Sequence, residues 1–191
     1  MNYSGKHIEA RFEDAIEIAL LARGYSKGDP KSYDAERGLF SADVVAYIKA
    51  SQPKKWQSLV DLQGDAAEAV LLDALVKELA TKGSLHVLRH GFKCFGKTYQ
   101  MAVFKPASGM NPDTIAAYEQ NIVTITRQVP FKPATTETVD VVLALNGIPV
   151  VTAELKNRPD RRGRQAPVRQ RPRPAHRAVP LQGTRARAFR R

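Results

Sequence analysis

Apolar residues along the chain follow two different periods, and the change between them falls at Gly83. In residues 9–25, EARFEDAIEIALLARGY, the positions Phe12, Ile16, Ala19 and Leu20 recur every three to four residues. Glu9, Glu13 and Glu17 mark an adjoining face, and Gly24 stands where a helix would be capped. The spacing predicts a helix. Residues 41–53, SADVVAYIKASQP, predict a second one, with Ser41 as N-cap and Pro53 just beyond its end. Residues 65–83, DAAEAVLLDALVKELATKG, predict a third that is apolar around most of its circumference, hence well buried, and closed by Gly83. Beyond that point SLHVLRHGFKCFGKTYQMAVF has short apolar alternations broken by Gly91 and Gly96, which predict a hairpin ending at Lys105-Pro106. Asn111 and Pro112 open a short helix in NPDTIAAYEQN. IVTITRQVPF sets Ile122, Thr124 and Thr126 against Val123, Ile125 and Arg127, as a strand exposed on one face does. VDVVLAL and IPVVTAEL are almost continuously apolar, which predicts central strands covered on both faces. Helices first and a meander of strands afterwards make an α+β (α/β three-layer) arrangement, a mixed sheet flanked by helices.

Charge changes this picture in one region only. The 191 residues carry a formal charge of +11, from 30 Lys plus Arg against 19 Asp plus Glu. Residues 158–191 hold 12 Arg and one Asp, so residues 1–157 keep 30 − 12 = 18 basic and 19 − 1 = 18 acidic groups and balance to zero. The Arg-rich tail has five prolines and no helical or strand period, a composition too poor in apolar residues to offset ordering entropy. Two readings stand for it: an arm that neutralises nucleic-acid phosphates, or sequence read out of frame from GC-rich DNA. Cys94 stands alone, which excludes an internal disulfide framework and a multi-cysteine zinc site, and leaves it as a small buried hydrophobe. No apolar stretch of membrane-spanning length appears, and Lys6, Glu9, Arg11 and Glu13 are unlike a signal peptide, so the expected location is cytoplasmic with no membrane partner.

The chemistry concentrates in residues 139–157, VDVVLALNGIPVVTAELKN, where Asp140, Glu154 and Lys156 interrupt apolar runs. Buried charges cost several kcal/mol, as an order of magnitude, unless paired or bound to a metal. Asn146-Gly147 is a strong hairpin signal. With a plain two-residue loop Asp140 would face Ala153 and point away from Glu154 and Lys156; one extra residue, in the turn or as a bulge, sets Asp140 opposite Glu154. Gly147 with Pro149 after it favours the longer connection, so a bulge or a three-residue turn is expected. Two carboxylates meeting there suit Mg²⁺, a hard cation that takes few protein oxygens, and the carbonyl of Leu155 lies between them as a further ligand. Phosphodiester hydrolysis is the chemistry such a site supports, with the Lys156 ammonium steadying the nucleophile or developing charge. The plain alternative is an exposed Glu-Lys pair at strand ends.

These residues carry a family resemblance. TVDVVLALNGIPVVTAELKN resembles the catalytic hairpin of the PD-(D/E)xK nuclease domain that opens the R subunit of type I restriction enzymes. YEQNIVTITRQVPF resembles that family's Asn and Arg-Gln strand, and FEDAIEIALLARGY its first helix, so the likeness covers roughly residues 8–157. It implies a restriction-endonuclease-like core in which Asp140 and Glu154 are metal ligands, Lys156 is the catalytic lysine, and Glu13, or else Glu17, is the acid that the first helix leans toward the metal. A packing or capping role is the alternative for either glutamate. Arg127 and Gln128 would touch DNA or serve the structure. The implied partners are double-stranded DNA and the methyltransferase and specificity subunits of a restriction complex. ATP would serve only helicase motor domains that this chain lacks.

The same resemblance implies a Gln-x-x-x-Tyr helix after the hairpin, which is also missing. Codons for RPDRR at 158–162, read one base later, can spell the Leu-Thr-Gly usual there, so a one-base frameshift near residue 158 and a truncated nuclease domain over residues 1–157 are expected. A stand-alone nuclease of the same fold, and a non-enzymatic binder acting through the tail, are the competing readings.

Overall fold

The structure, a computed structural model, describes residues 5–107, 109, 111–132 and 137–155. All lie in the unit Met1–Asn157; the tail, with its expected disorder, and Lys156 lie outside the described residues.

Helix α1 runs Gly5–Leu21, and the chain leaves it through Gly24, whose N–H donates to the Leu21 carbonyl. A short strand β1, Ser26–Lys27, follows. Helices α2 (Ser41–Ser51), α3 (Pro53–Gln63), α4 (Ala67–Lys82) and α5 (Ser84–His90) come next, then the hairpin β2 (Phe92–Cys94) and β3 (Lys97–Tyr99). Helix α6, Pro112–Glu119, is capped by the Asn111 side chain, which accepts from the Asp113 N–H. Strands β4 (Val123–Pro130), β5 (Thr138–Leu145) and β6 (Ile148–Ala153) end the described chain.

Several sequence expectations are corrected. Pro53 does not merely follow α2; it opens α3, where its missing N–H and fixed φ suit the first helical turn. The cap of α2 is Phe40 rather than Ser41, whose hydroxyl donates to Asp34 Oδ2 instead. The hairpin expected from residue 84 onward is confined to residues 92–99, because residues 84–90 form α5 between Gly83 and Gly91. Most telling is α1. Phe12 is 56% exposed while Glu13 and Glu17 are 6% and 7% exposed, so the acidic stripe faces inward.

The main sheet has the order β1-β4-β5-β6, with β1 parallel to β4 and the other pairs antiparallel, hence mixed. Strand β4 is therefore internal, not open on one face: Thr124, Ile125 and Thr126 are all buried. Strand β5 is internal too, with Val141, Val142 and Ala144 buried, whereas β6 lies at the margin of the described sheet and leaves Val150 and Val151 exposed. That corrects the expectation of two central strands.

The larger core joins α2–α5 to the β2–β3 hairpin through Ile48, Leu71, Leu75, Phe92 and Tyr99, and reaches the sheet at Ile148. Buried Cys94 belongs to it, as expected of a small hydrophobe. A smaller cluster packs Phe40 on Val129, Val142 and Ala144. The sheet is fixed to the helices at the β5–β6 turn. Gly147 accepts the Phe40 N–H at 2.9 Å, and a Cβ at Gly147 would stand 2.6 Å from Val44 Cγ2 and 2.7 Å from the Phe40 oxygen. Asn146, also buried, accepts from the Ile122 N–H at 2.7 Å and donates to the Met101 carbonyl and Asn121 Oδ1. No described helix is long and apolar enough to cross a membrane.

Candidate active site

The β5–β6 hairpin sets the register of the acidic residues. Leu145 pairs with Ile148 and Ala144 with Pro149, so the loop is the two residues Asn146 and Gly147, with φ of 50° and 83° as a type I′ turn requires. The expected extra residue lies past the turn: Leu143 pairs with Val151, leaving Val150 as a bulge beside Pro149, which has no N–H to give the ladder. After the bulge Val142 pairs with Thr152 and Val141 with Ala153. Carried one residue further, that register would bring Asp140 opposite Glu154, which lies just past the end of β6. The two strand ends are tied there, since the Leu155 N–H donates to Asp140 Oδ2 at 2.6 Å.

Asp140 is partly buried and Glu154, just past the end of β6, is exposed. The second Asp140 oxygen, Oδ1, lies 3.4 Å from Gln128 Nε2. Both groups donating to Asp140 are neutral. The carboxylates of α1 are held differently. Arg127 Nε and Nη2 reach Glu13 Oε2 at 3.0 and 2.9 Å, and its Nη1 reaches Asp14 Oδ1 at 2.6 Å and Glu17 Oε2 at 3.0 Å. Lys27 Nζ adds a contact of 2.8 Å to Glu17 Oε1. This pairing explains the inward acidic stripe: buried carboxylates persist because cations meet them. The Lys27 hydrogen bond, with help from Arg127 and against burial, holds Glu17 below the ordinary glutamate range. Burial opposes the charge of Arg127, but the hydrogen bonds it donates to Glu17, Asp14 and Glu13 outweigh it and push the guanidinium above its ordinary value.

Of the two glutamates left open by the sequence, Glu13 is the one joined to the Asp140 end of the sheet, since its Oε1 accepts from Gln128 Nε2 at 2.9 Å. Glu17 sits one turn away between Lys27 and Arg127. The guanidinium of Arg127 is engaged by three carboxylates, a placement that favours its structural role over the expected contact with DNA. Lys27, Asp14 and Thr138 were not singled out in the sequence, and nothing in their local spacing marks them.

The donor set admits a cation only in part. Among the described residues no three of His, Cys, Asp and Glu gather closely enough to hold a metal ion. Asp140 and Glu154 with the Leu155 carbonyl remain a set of hard oxygen donors, and the two groups seen to donate to Asp140 among the described residues, the Leu155 N–H and Gln128 Nε2, are neutral. That is compatible with Mg²⁺, which takes one or two carboxylates and completes its shell with water and phosphate.

Residues 14–173, well over half of the chain, match the model of the type I restriction enzyme R protein N terminus. No curated protein and no solved structure matches. With a mixed sheet flanked by helices and compatible with a restriction-endonuclease-like core, the chain belongs to the family of type I restriction enzyme R protein N termini.

Proposed function

We propose that this chain is the endonuclease domain of a type I restriction R subunit and hydrolyses phosphodiester bonds of unmethylated double-stranded DNA with Mg²⁺. The observation that supports the reading is the Val150 bulge, because the shifted register, carried one step past Val141 and Ala153, would put Asp140 opposite Glu154 where a plain two-residue hairpin would hold them on opposite faces. In this reading Asp140, Glu154 and the Leu155 carbonyl hold the metal. A Mg²⁺ held by them would supply polarisation of the phosphoryl group and a water of lowered pKa. Lys156 follows Leu155 in sequence and is assigned to steady the attacking oxygen and the charge that develops on phosphate. Glu13 lends negative potential from the α1 side, while Arg127 holds α1 in place. Coupling to ATP-driven translocation belongs to motor domains elsewhere in a full-length R subunit, and sequence recognition to the specificity subunit beside the methyltransferase.

Nicking of supercoiled plasmid in Mg²⁺ tests this. Asp140→Ala and Glu154→Ala are expected to lower the rate by two orders of magnitude or more, about 3 kcal/mol in barrier, with melting temperatures near that of the unsubstituted chain. Unchanged nicking by Asp140→Ala would remove it from the site.

A further inference from the structure

Gln128 occupies a backbone conformation that nothing in strand packing explains. The β4–β5 ladder pairs Arg127 with Val141 and Val129 with Val139 and skips the pair between them, which is Gln128 opposite Asp140. At the skipped position φ is +52°, a left-handed value uncommon for a residue with a side chain. The consequence is geometric. In a regular strand successive side chains point to opposite faces, yet Arg127 and Gln128 both reach Glu13. The left-handed turn therefore redirects the Gln128 amide.

The amide is also oriented. Thr138 Oγ1 donates to Gln128 Oε1 at 2.8 Å, which fixes the carbonyl oxygen and leaves both N–H groups of Nε2 for the acids. Nε2 lies 2.9 Å from Glu13 Oε1 and 3.4 Å from Asp140 Oδ1. One neutral nitrogen thus bridges two carboxylates on different elements. Lysine or arginine at that position would bridge them too, but would compete with a divalent cation for Asp140. Strain kept at one residue beside a candidate site is itself a sign of a positional demand.

From this we infer that Gln128 is a positioning residue: its strained backbone and Thr138-oriented amide aim the Asp140 carboxylate at the metal and couple it to Glu13 without adding positive charge. The inference rests on the metal-dependent reading above. In that role it acts through Asp140 and touches neither substrate nor metal.

The test is calorimetric titration of the chain with Mn²⁺, run beside plasmid nicking. Asp140→Ala should abolish binding at the site. Gln128→Leu should raise the Mn²⁺ Kd by about ten- to a hundredfold, the effect usual when a partner orienting a metal ligand is lost. Gln128→Lys should weaken binding at least as much. Gln128→Gly, which accepts the positive φ, should keep or raise the melting temperature and still show the weakened binding, so the side chain is read apart from the fold. If Gln128→Leu and Gln128→Gly bind Mn²⁺ as tightly as the unsubstituted chain while Asp140→Ala does not, Gln128 has no positioning role and the metal site stands. If the unsubstituted chain does not bind Mn²⁺, or Asp140→Ala binds it unchanged, the metal reading fails and this inference with it.

Discussion

Asn146 and Gly147 each meet a demand that neighbouring residue types would not. Asn tolerates the left-handed conformation and spends its amide on buried backbone and side-chain partners, so the turn is joined to Ile122 and Met101 as well as to its own strands. Gly147 lets the start of α2 close on the hairpin. A paired substitution separates conformation from contact. Gly24 also has positive φ, yet an added Cβ there meets nothing within 4 Å, so Gly24→Ala should cost about 1 kcal/mol by strain alone. Gly147→Ala carries the same strain and also drives its Cβ into Val44 and the Phe40 backbone, so it should cost clearly more, about 3 kcal/mol. Urea unfolding of both variants measures the difference; equal losses would mean that α2 does not rest on the turn. The Asn-Gly pair was legible as a hairpin in the sequence. Its hold on α2 was not, because a close approach between residues 40–44 and 147 leaves no local trace.

At the scale of elements, α1 is held on the sheet by charge more than by apolar burial. Glu13 and Glu17 are inside and Phe12 is outside, the reverse of what helical spacing of apolar residues suggests. The spacing was legible, but the partners Arg127 and Lys27 lie more than a hundred and about ten residues away, and only they decide which stripe turns inward. Likewise α3 was hidden because Pro53 reads equally as a stop and a start, and α5 because seven residues are too few to show a period. The long, Gly-terminated helices α1 and α4 were plain. The charge-held docking has a pH signature. Glu17 is depressed below its ordinary value of 4.5, so its contribution is complete above that pH and is lost as pH falls through the lower folded value. Glu17→Gln should therefore be less stable than the unsubstituted chain at pH 7, by about 1–3 kcal/mol, with the gap closing as pH falls below the ordinary glutamate value of 4.5. Thermal melts across pH 3–7 check this, and a constant gap would show that the ion pairs to Lys27 and Arg127 do not stabilise the fold.

For the unit that the described residues belong to, the helices pack against the β5–β6 turn, and the four-stranded sheet holds Gln128 and Asp140 on its two internal strands. Turn anchoring, bulge and left-handed Gln128 act on three neighbouring strands, and each shifts side chains by one face or one step. The need for one extra residue along the hairpin was legible by counting, since a period of two leaves only two registers to choose between, and the shifted register is the one the chain adopts. Which device set the register was not. The sequence left a bulge and a three-residue turn open, and the chain takes the bulge, at Val150 beside Pro149, and keeps a two-residue turn. The link from Asp140 to Glu13 was not legible either, because it depends on one non-glycine residue adopting positive φ.

A crystal of the chain grown in Mn²⁺ and measured at the manganese absorption edge addresses the central claim directly. An anomalous peak bounded by the Asp140 and Glu154 carboxylates, at the roughly 2.1 Å of a hard-cation–oxygen bond, is the predicted result. A fully occupied peak elsewhere on the molecule, or Glu154 turned to the opposite face from Asp140 with no peak between them, would contradict it.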